Sequence, residues 1–205
     1  MKQLIFGLLA ITLLFSACDQ VNAPMPDENQ INKKYVASQD NNFESLKLAI
    51  IPLPEKSPLY LDSVFTVTKI INGLLGGTIT LDKSYISKEG KLVTVLVNMV
   101  IPPLAFFGQR TITCTIEDSL AIMDCGPDMT FGRSLTLVQT FTGLDLMSYD
   151  VRDIDFGYIN EDGHYYPIQR SSLIVNKQLG LVSIVNGKIG HFSKYGWVRK
   201  SGNSD

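Results

Sequence analysis

From about residue 64 onward the chain alternates apolar and polar positions in short runs broken by turn residues. Phe65 to Ile70 alternates with period two, and Asn72-Gly73 and Gly76-Gly77 interrupt it. Thr78 to Leu81 is a short run. Leu92 to Ile101 is long and apolar on both faces, as in a central strand, and Pro102-Pro103 stops it. Thr111 to Ile116, Leu120 to Cys125 and Leu135 to Phe141 follow. Phe156 to Ile159 and His164 to Ile168 flank Asp162-Gly163, a two-residue hairpin signal. Ser172 to Val175, Leu181 to Val185 and Lys188 to Val198 complete the set. No stretch repeats an apolar face at helical spacing over three turns. This pattern predicts an all-β domain, a sandwich or a barrel, and nothing in it indicates a second domain.

The first residues follow another pattern. Met1-Lys2 precedes an apolar run from Leu4 to Phe15, which is short for a bilayer span, and Ser16-Ala17-Cys18 follows. Small residues directly before a cysteine resemble a lipobox, although Phe15 stands where that motif usually has leucine. This predicts a lipoprotein signal peptide over 1–17, with Cys18 carrying diacylglycerol and an N-acyl chain after cleavage. Several acyl chains on one residue give stable anchoring. The competing reading is an ordinary secretory signal with Cys18 as a bystander. Residues 18–46 are polar and aperiodic, the composition of a flexible linker. Residues 47 to 60 form a transition without a readable period, and 201–205 form a polar tail. The expected folded domain is therefore 47–200.

Composition changes the picture in two places. The formal net charge of -2 on 205 residues, with no basic block, argues against nucleic acid. Three cysteines are an awkward number for an exported chain. With Cys18 assigned to lipid, Cys114 and Cys125 remain as a pair. Ile112, Cys114 and Ile116 share one face of their run, and Ala121, Met123 and Cys125 share one face of the next. In a hairpin both thiols would point to the core side. A cross-strand disulfide and two buried free thiols both fit, because register cannot be read from sequence.

Four landmarks then appear in order: Gly76-Gly77-Thr78; Ile101-Pro102-Pro103-Leu104-Ala105-Phe106; Cys125-Gly126-Pro127 followed by Phe131; and His191-Phe192-Ser193-Lys194-Tyr195. Together the stretch resembles the ZU-five domain of zonula occludens proteins, Unc-five netrin receptors, ankyrins and bacterial surface proteins. Leu104 stands where that family usually has glycine, and Ser134 where it has proline. The resemblance spans about residues 76–198 and implies an antiparallel β-sandwich that mediates interactions, without implying a partner.

The same resemblance singles out His191-Phe192-Ser193, because some family members cut themselves at this tripeptide. Ser193 would attack the Phe192 carbonyl in an N-to-O acyl shift, with His191 helping remove the proton, and water would hydrolyse the ester. In an alternating closing strand, however, Phe192 faces the core and His191 and Ser193 face away, and hydrogen bonding alone explains them. No cofactor and no metal site is expected. The chain has two histidines, His164 and His191. Asn160, Glu161 and Asp162 read as turn residues, and Asp150, Asp153 and Asp155 as a solvated acidic loop. The spacing Gly-x-Ser-x-Gly never occurs. Tyr165-Tyr166 and Tyr195-x-Trp197 read as strand packing ahead of a binding surface. The expectation is a lipid-anchored protein of the bacterial cell envelope. Its non-enzymatic sandwich would bind a protein or glycan, with self-processing as the alternative and a small-ligand barrel a distant third.

Overall fold

The computed structural model describes residues 48–58 and 65–200. The signal segment, Cys18, the 18–46 linker and the 201–205 tail lie outside the described residues. Among the described residues there are twelve strands: β1 (Leu48–Ile50), β2 (Phe65–Asn72), β3 (Gly77–Ile86), β4 (Leu92–Ile101), β5 (Gln109–Ile116), β6 (Ile122–Gly126), β7 (Thr130–Thr142), β8 (Ile154–Ile159), β9 (Tyr165–Pro167), β10 (Ser172–Asn176), β11 (Leu181–His191) and β12 (Lys194–Lys200). A single 3₁₀ turn, Val151–Asp153, precedes β8.

Two antiparallel sheets result, as an all-β sandwich requires. One runs β2-β5-β6-β12-β8-β9, and β1 joins β12 beside β6; the other runs β10-β11-β7-β4-β3. Alternation builds the core between them. Val93, Val95, Val97, Met99 and Ile101 of β4 turn inward, as do Leu135, Leu137 and Phe141 of β7. They meet Met123, Phe156, Tyr195 and Trp197 from the opposing sheet. The expectation that β4 is apolar on both faces because it is central is half right. It lies between β3 and β7, yet Leu92, Leu96 and Val100 on its outer face are exposed.

Cys114 and Cys125 form a disulfide, directly opposite each other on β5 and β6 with Cα atoms 4.2 Å apart. Both sulfurs face the core as the two runs predict, and both residues are buried.

The transition at 47–60 proves structured where it is described. Leu53 N–H donates to the Ser119 carbonyl in the turn between β5 and β6 of one sheet, while Ser57 N–H donates to the Ile86 carbonyl of β3 in the other. Tyr85 donates its hydroxyl to the Pro54 carbonyl at 2.7 Å, and Ile51 and Leu53 are buried. Residues 51–58 thus close one end of the sandwich. At β12 three segments meet in a closed ring of backbone bonds. Ile51 N–H donates to Trp197 O at 2.9 Å, Trp197 N–H to Ala121 O at 3.0 Å, and Ala121 N–H to Ile51 O at 2.9 Å.

A candidate binding cleft at the strand crossover

The run Lys188 to Val198 is read from sequence as one closing strand. The structure divides it between the sheets. β11 pairs with β7 and ends at His191, and β12 begins at Lys194 in the other sheet. His191-Phe192-Ser193 therefore bridges the two layers. The cause lies upstream. Register shifts interrupt the β11–β7 ladder between Ile184 and Gly187 and again between Ile189 and His191. Asn186 takes φ 55 at the first. Such bulges bend a strand and let it change sheets. The apparent break between Val185 and Lys188 is this bulge, and β11 continues through it.

The crossover is pinned on every side. Phe192 N–H donates to Met129 O at 2.9 Å, and the Ser193 carbonyl accepts from Cys125 N–H at 3.3 Å. Tyr195 donates its hydroxyl to the His191 carbonyl at 2.8 Å. Burial, with Tyr158 adding to it, holds the Tyr195 phenol well above its ordinary range, so it stays a donor. The Phe192 ring is buried edge-on against Phe131, with centroids 4.8 Å apart, and Phe131 in turn meets Phe106. The His191 ring meets the Tyr158 ring edge-on at 4.7 Å, and Tyr158 stacks on Tyr166. Among the described residues no hydrogen bond joins the His191 imidazole to the Ser193 hydroxyl.

A cleft of about 1100 Å³ opens beside this bridge, along the outer face of the β6-β12-β8 sheet. Its floor is apolar, built from Leu120, Ile122 and Ile159. Ile122 and Ile159 lean over Gly196, where an added Cβ would come within 2.9 and 3.0 Å of them. Asp124, Asp128, Glu161 and Asp162 stand around it, with His191 and Ser193 at the crossover end. Lys194 also lines it, but its ammonium lies 3.3 Å from the Glu117 carboxylate, which also lines the cleft. Asp124, Asp128, Glu161 and Asp162 make no ion pair among the described residues, so carboxylates dominate the wall.

The other candidate residues are placed differently. His164 lies in the β8–β9 turn, where its backbone N–H donates to Asn160 Oδ1 at 2.7 Å. That turn is wider than the two residues expected, since Asn160 N–H bonds to His164 O, with Gly163 at φ 80. Asp150, Asp153 and Asp155 do not converge. Asp150 binds Arg152, whose hydrogen bonds lower its carboxyl to about 2, and Asp155 pairs with Arg170 at 2.8 Å. Among the described residues no group of three or more His, Cys, Asp or Glu could hold a metal ion. Tyr195 and Trp197 pack in the core, while Tyr166 is exposed on Tyr158. Sequence patterns do not single out Tyr158, Asp124, Asp128 or Glu117, because the crossover alone brings their strands and turns to one cleft. No protein-family model, curated protein or solved structure matches this chain.

Proposed function

We propose that the protein is a lipid-anchored module of a bacterial envelope, held by acyl chains on Cys18, whose sandwich binds a protein or glycan partner without catalysis. The ZU-five resemblance belongs to the same proposal. The cleft beside the crossover is the observation that carries it: an apolar floor, aromatic rings at one end and a wall of carboxylates. Such a surface fits an extended segment bearing amines or guanidinium groups, a basic stretch of protein first of all.

Two measurements test this reading. Lysine-rich and glutamate-rich peptides of equal length, titrated by calorimetry, should separate clearly, with only the basic one bound. Binding should weaken as salt rises and fall roughly fivefold to tenfold in Asp124→Asn/Asp128→Asn. Equal affinity for both peptides, or no effect of the double variant, would discard the cleft as the binding site. Denaturing intact mass on protein exported from its own signal should show acyl chains on Cys18 and an uncut chain. The second expectation is supported by the pinned backbone around Phe192-Ser193 and by the His191 ring packing on Tyr158. A species lacking Ser193–Asp205 that vanishes in Ser193→Ala would establish self-processing instead, and an unmodified Cys18 would end the anchoring proposal.

A further inference from the structure

At the far end of the sandwich from Leu48, two loops stand side by side. Register fixes the placement: Leu48 pairs with Lys200, whereas the opposite end carries Asn72 against Gln109 and Gly77 against Ile101. The β2–β3 turn displays Leu74 and Leu75, and the β4–β5 loop displays Leu104 and Phe107. Their exposures are 44%, 76%, 56% and 85%.

These side chains sit on a rigid base. Gly73 N–H donates to Gly108 O at 2.9 Å, and an added Cβ at Gly73 would lie 2.1 Å from the Phe106 carbonyl oxygen. Within the first turn, Leu75 and Gly76 N–H groups both donate to Asn72 O, and Leu74 N–H donates to Asn72 Oδ1. In the second loop Ala105 is buried and Phe106 packs on Phe131, so the alternate residues Leu104 and Phe107 are turned outward. Leu104 takes φ 66, a left-handed conformation that disfavours a leucine side chain. The fold thus holds large apolar groups in water on ordered backbone, at a conformational cost, where glycine or asparagine would be easier.

The two loops and the strand segments leading into them carry charge of one sign. Residues 65–81, 92–116 and 130–142, which supply both loops and the strands beneath them, contain Lys69, Arg110 and Arg133 and no Asp or Glu. Lys69 Nζ donates to Thr78 O at 2.8 Å, and Arg133 Nη1 reaches Pro103 O at 3.5 Å, which keeps both cations at the loops. The carboxylates of the cleft lie on other elements: Glu117 after β5, Asp124 within β6, Asp128 in the β6–β7 turn beside this end of the sandwich, and Glu161 and Asp162 after β8.

We infer that this tip inserts into the surface of an anionic phospholipid bilayer. Leu74, Leu75, Leu104 and Phe107 enter the acyl boundary, and Lys69, Arg110 and Arg133 meet the headgroup phosphates. Apolar groups on loop ends with a cationic collar complement an interface that is apolar below and negative above. The inference concerns residues other than those lining the cleft and does not involve the acyl chains proposed on Cys18.

The test uses the mature chain from residue 18 with Cys18→Ala, so that no acyl chain contributes. Sedimentation with vesicles of phosphatidylglycerol and phosphatidylcholine should pull the protein down, and pure phosphatidylcholine should bind it markedly less. Leu75→Ser/Phe107→Ser should weaken binding by on the order of tenfold or more. Lys69→Gln, Arg110→Gln and Arg133→Gln should each weaken it roughly fivefold, and only on anionic vesicles. All these positions are exposed, so circular dichroism should be unchanged in every variant. A Phe107→Trp reporter should shift its emission to the blue on vesicle addition. Failure of the parent to sediment with anionic vesicles would overturn the inference, as would binding unaffected by the Leu75→Ser/Phe107→Ser pair. A concentration-dependent dimer abolished by that pair, without vesicle binding, would replace the lipid with a second copy of the chain.

Discussion

Replacing Trp197 with alanine is expected to cost about 3–5 kcal/mol, the range for truncating a large buried aromatic ring. Trp197 is fully buried at the centre of β12, and its ring lies 5.1 Å from that of Phe156. It also joins the layers: the indole Nε1–H donates to Gln139 Oε1 on β7 at 3.0 Å. Against a domain stability of about 5–15 kcal/mol, such a loss would lower the melting temperature by on the order of 10 °C. A double-mutant cycle separates packing from the hydrogen bond. Trp197→Phe keeps most of the ring but strands the Gln139 amide, and Gln139→Leu leaves the indole N–H buried and unpaired. Each single change should cost about 1–3 kcal/mol, and the pair together should cost less than the sum. The chain has a single tryptophan, so denaturation should be followed by circular dichroism. Strict additivity would remove the inter-sheet hydrogen bond from the account. A loss below about 1 kcal/mol for Trp197→Ala would mean that this side chain is not central to the core.

Removing the disulfide is expected to cost about 3 kcal/mol. The bond joins Cys114 to Cys125, a separation of 11 residues. Closing a loop of that size restricts the unfolded chain by about 3 kcal/mol in the chain-entropy view. Cys114→Ala/Cys125→Ala should therefore shift the denaturation midpoint while leaving the circular dichroism spectrum of the folded state unchanged. Both cysteines are buried, so in the native protein alkylation after adding a reductant should proceed at the rate of global opening. Unreduced protein made in an oxidising compartment should take up no alkylating reagent at these two positions even in denaturant. Uptake there would contradict the bond outright.

The residues that display periodicity announced themselves. The faces of β5, β6 and β7 follow from alternation alone, including the side on which both cysteines lie, whereas β4, apolar on both faces, does not declare which one is buried. What alternation omits is the identity of the partner. The polar stretch Asp82-Lys83-Ser84 hides the continuation of β3 to Ile86, because this edge strand is solvated there. Asn186-Gly187 carries the composition of a hairpin turn, but a bulge needs the same positive φ, and only the β7 ladder distinguishes them. Residues 51–58 have no period because their hydrogen-bond partners belong to two sheets. The cleft was legible only at His191-Phe192-Ser193. Most of its carboxylates sit in turns whose composition is explained by turn geometry, Asp124 reads as an ordinary outward strand position, and their convergence is a product of topology.

The ring of hydrogen bonds that ties Ile51 to Ala121 and Trp197 has a consequence in time. β12 follows every other strand of its sheet in the chain, yet it lies in the middle, between β6 and β1 on one edge and β8 on the other. During synthesis β2, β5 and β6 can pair among themselves, but β1 and β8 have no partner in that sheet's middle until Lys194–Lys200 leaves the ribosome. Assembly of this layer therefore waits until Lys194–Lys200 has been made, and the long sequence separation of its pairings slows it further. For the exported chain proposed above, that delay keeps this sheet unassembled until its last strand has been made.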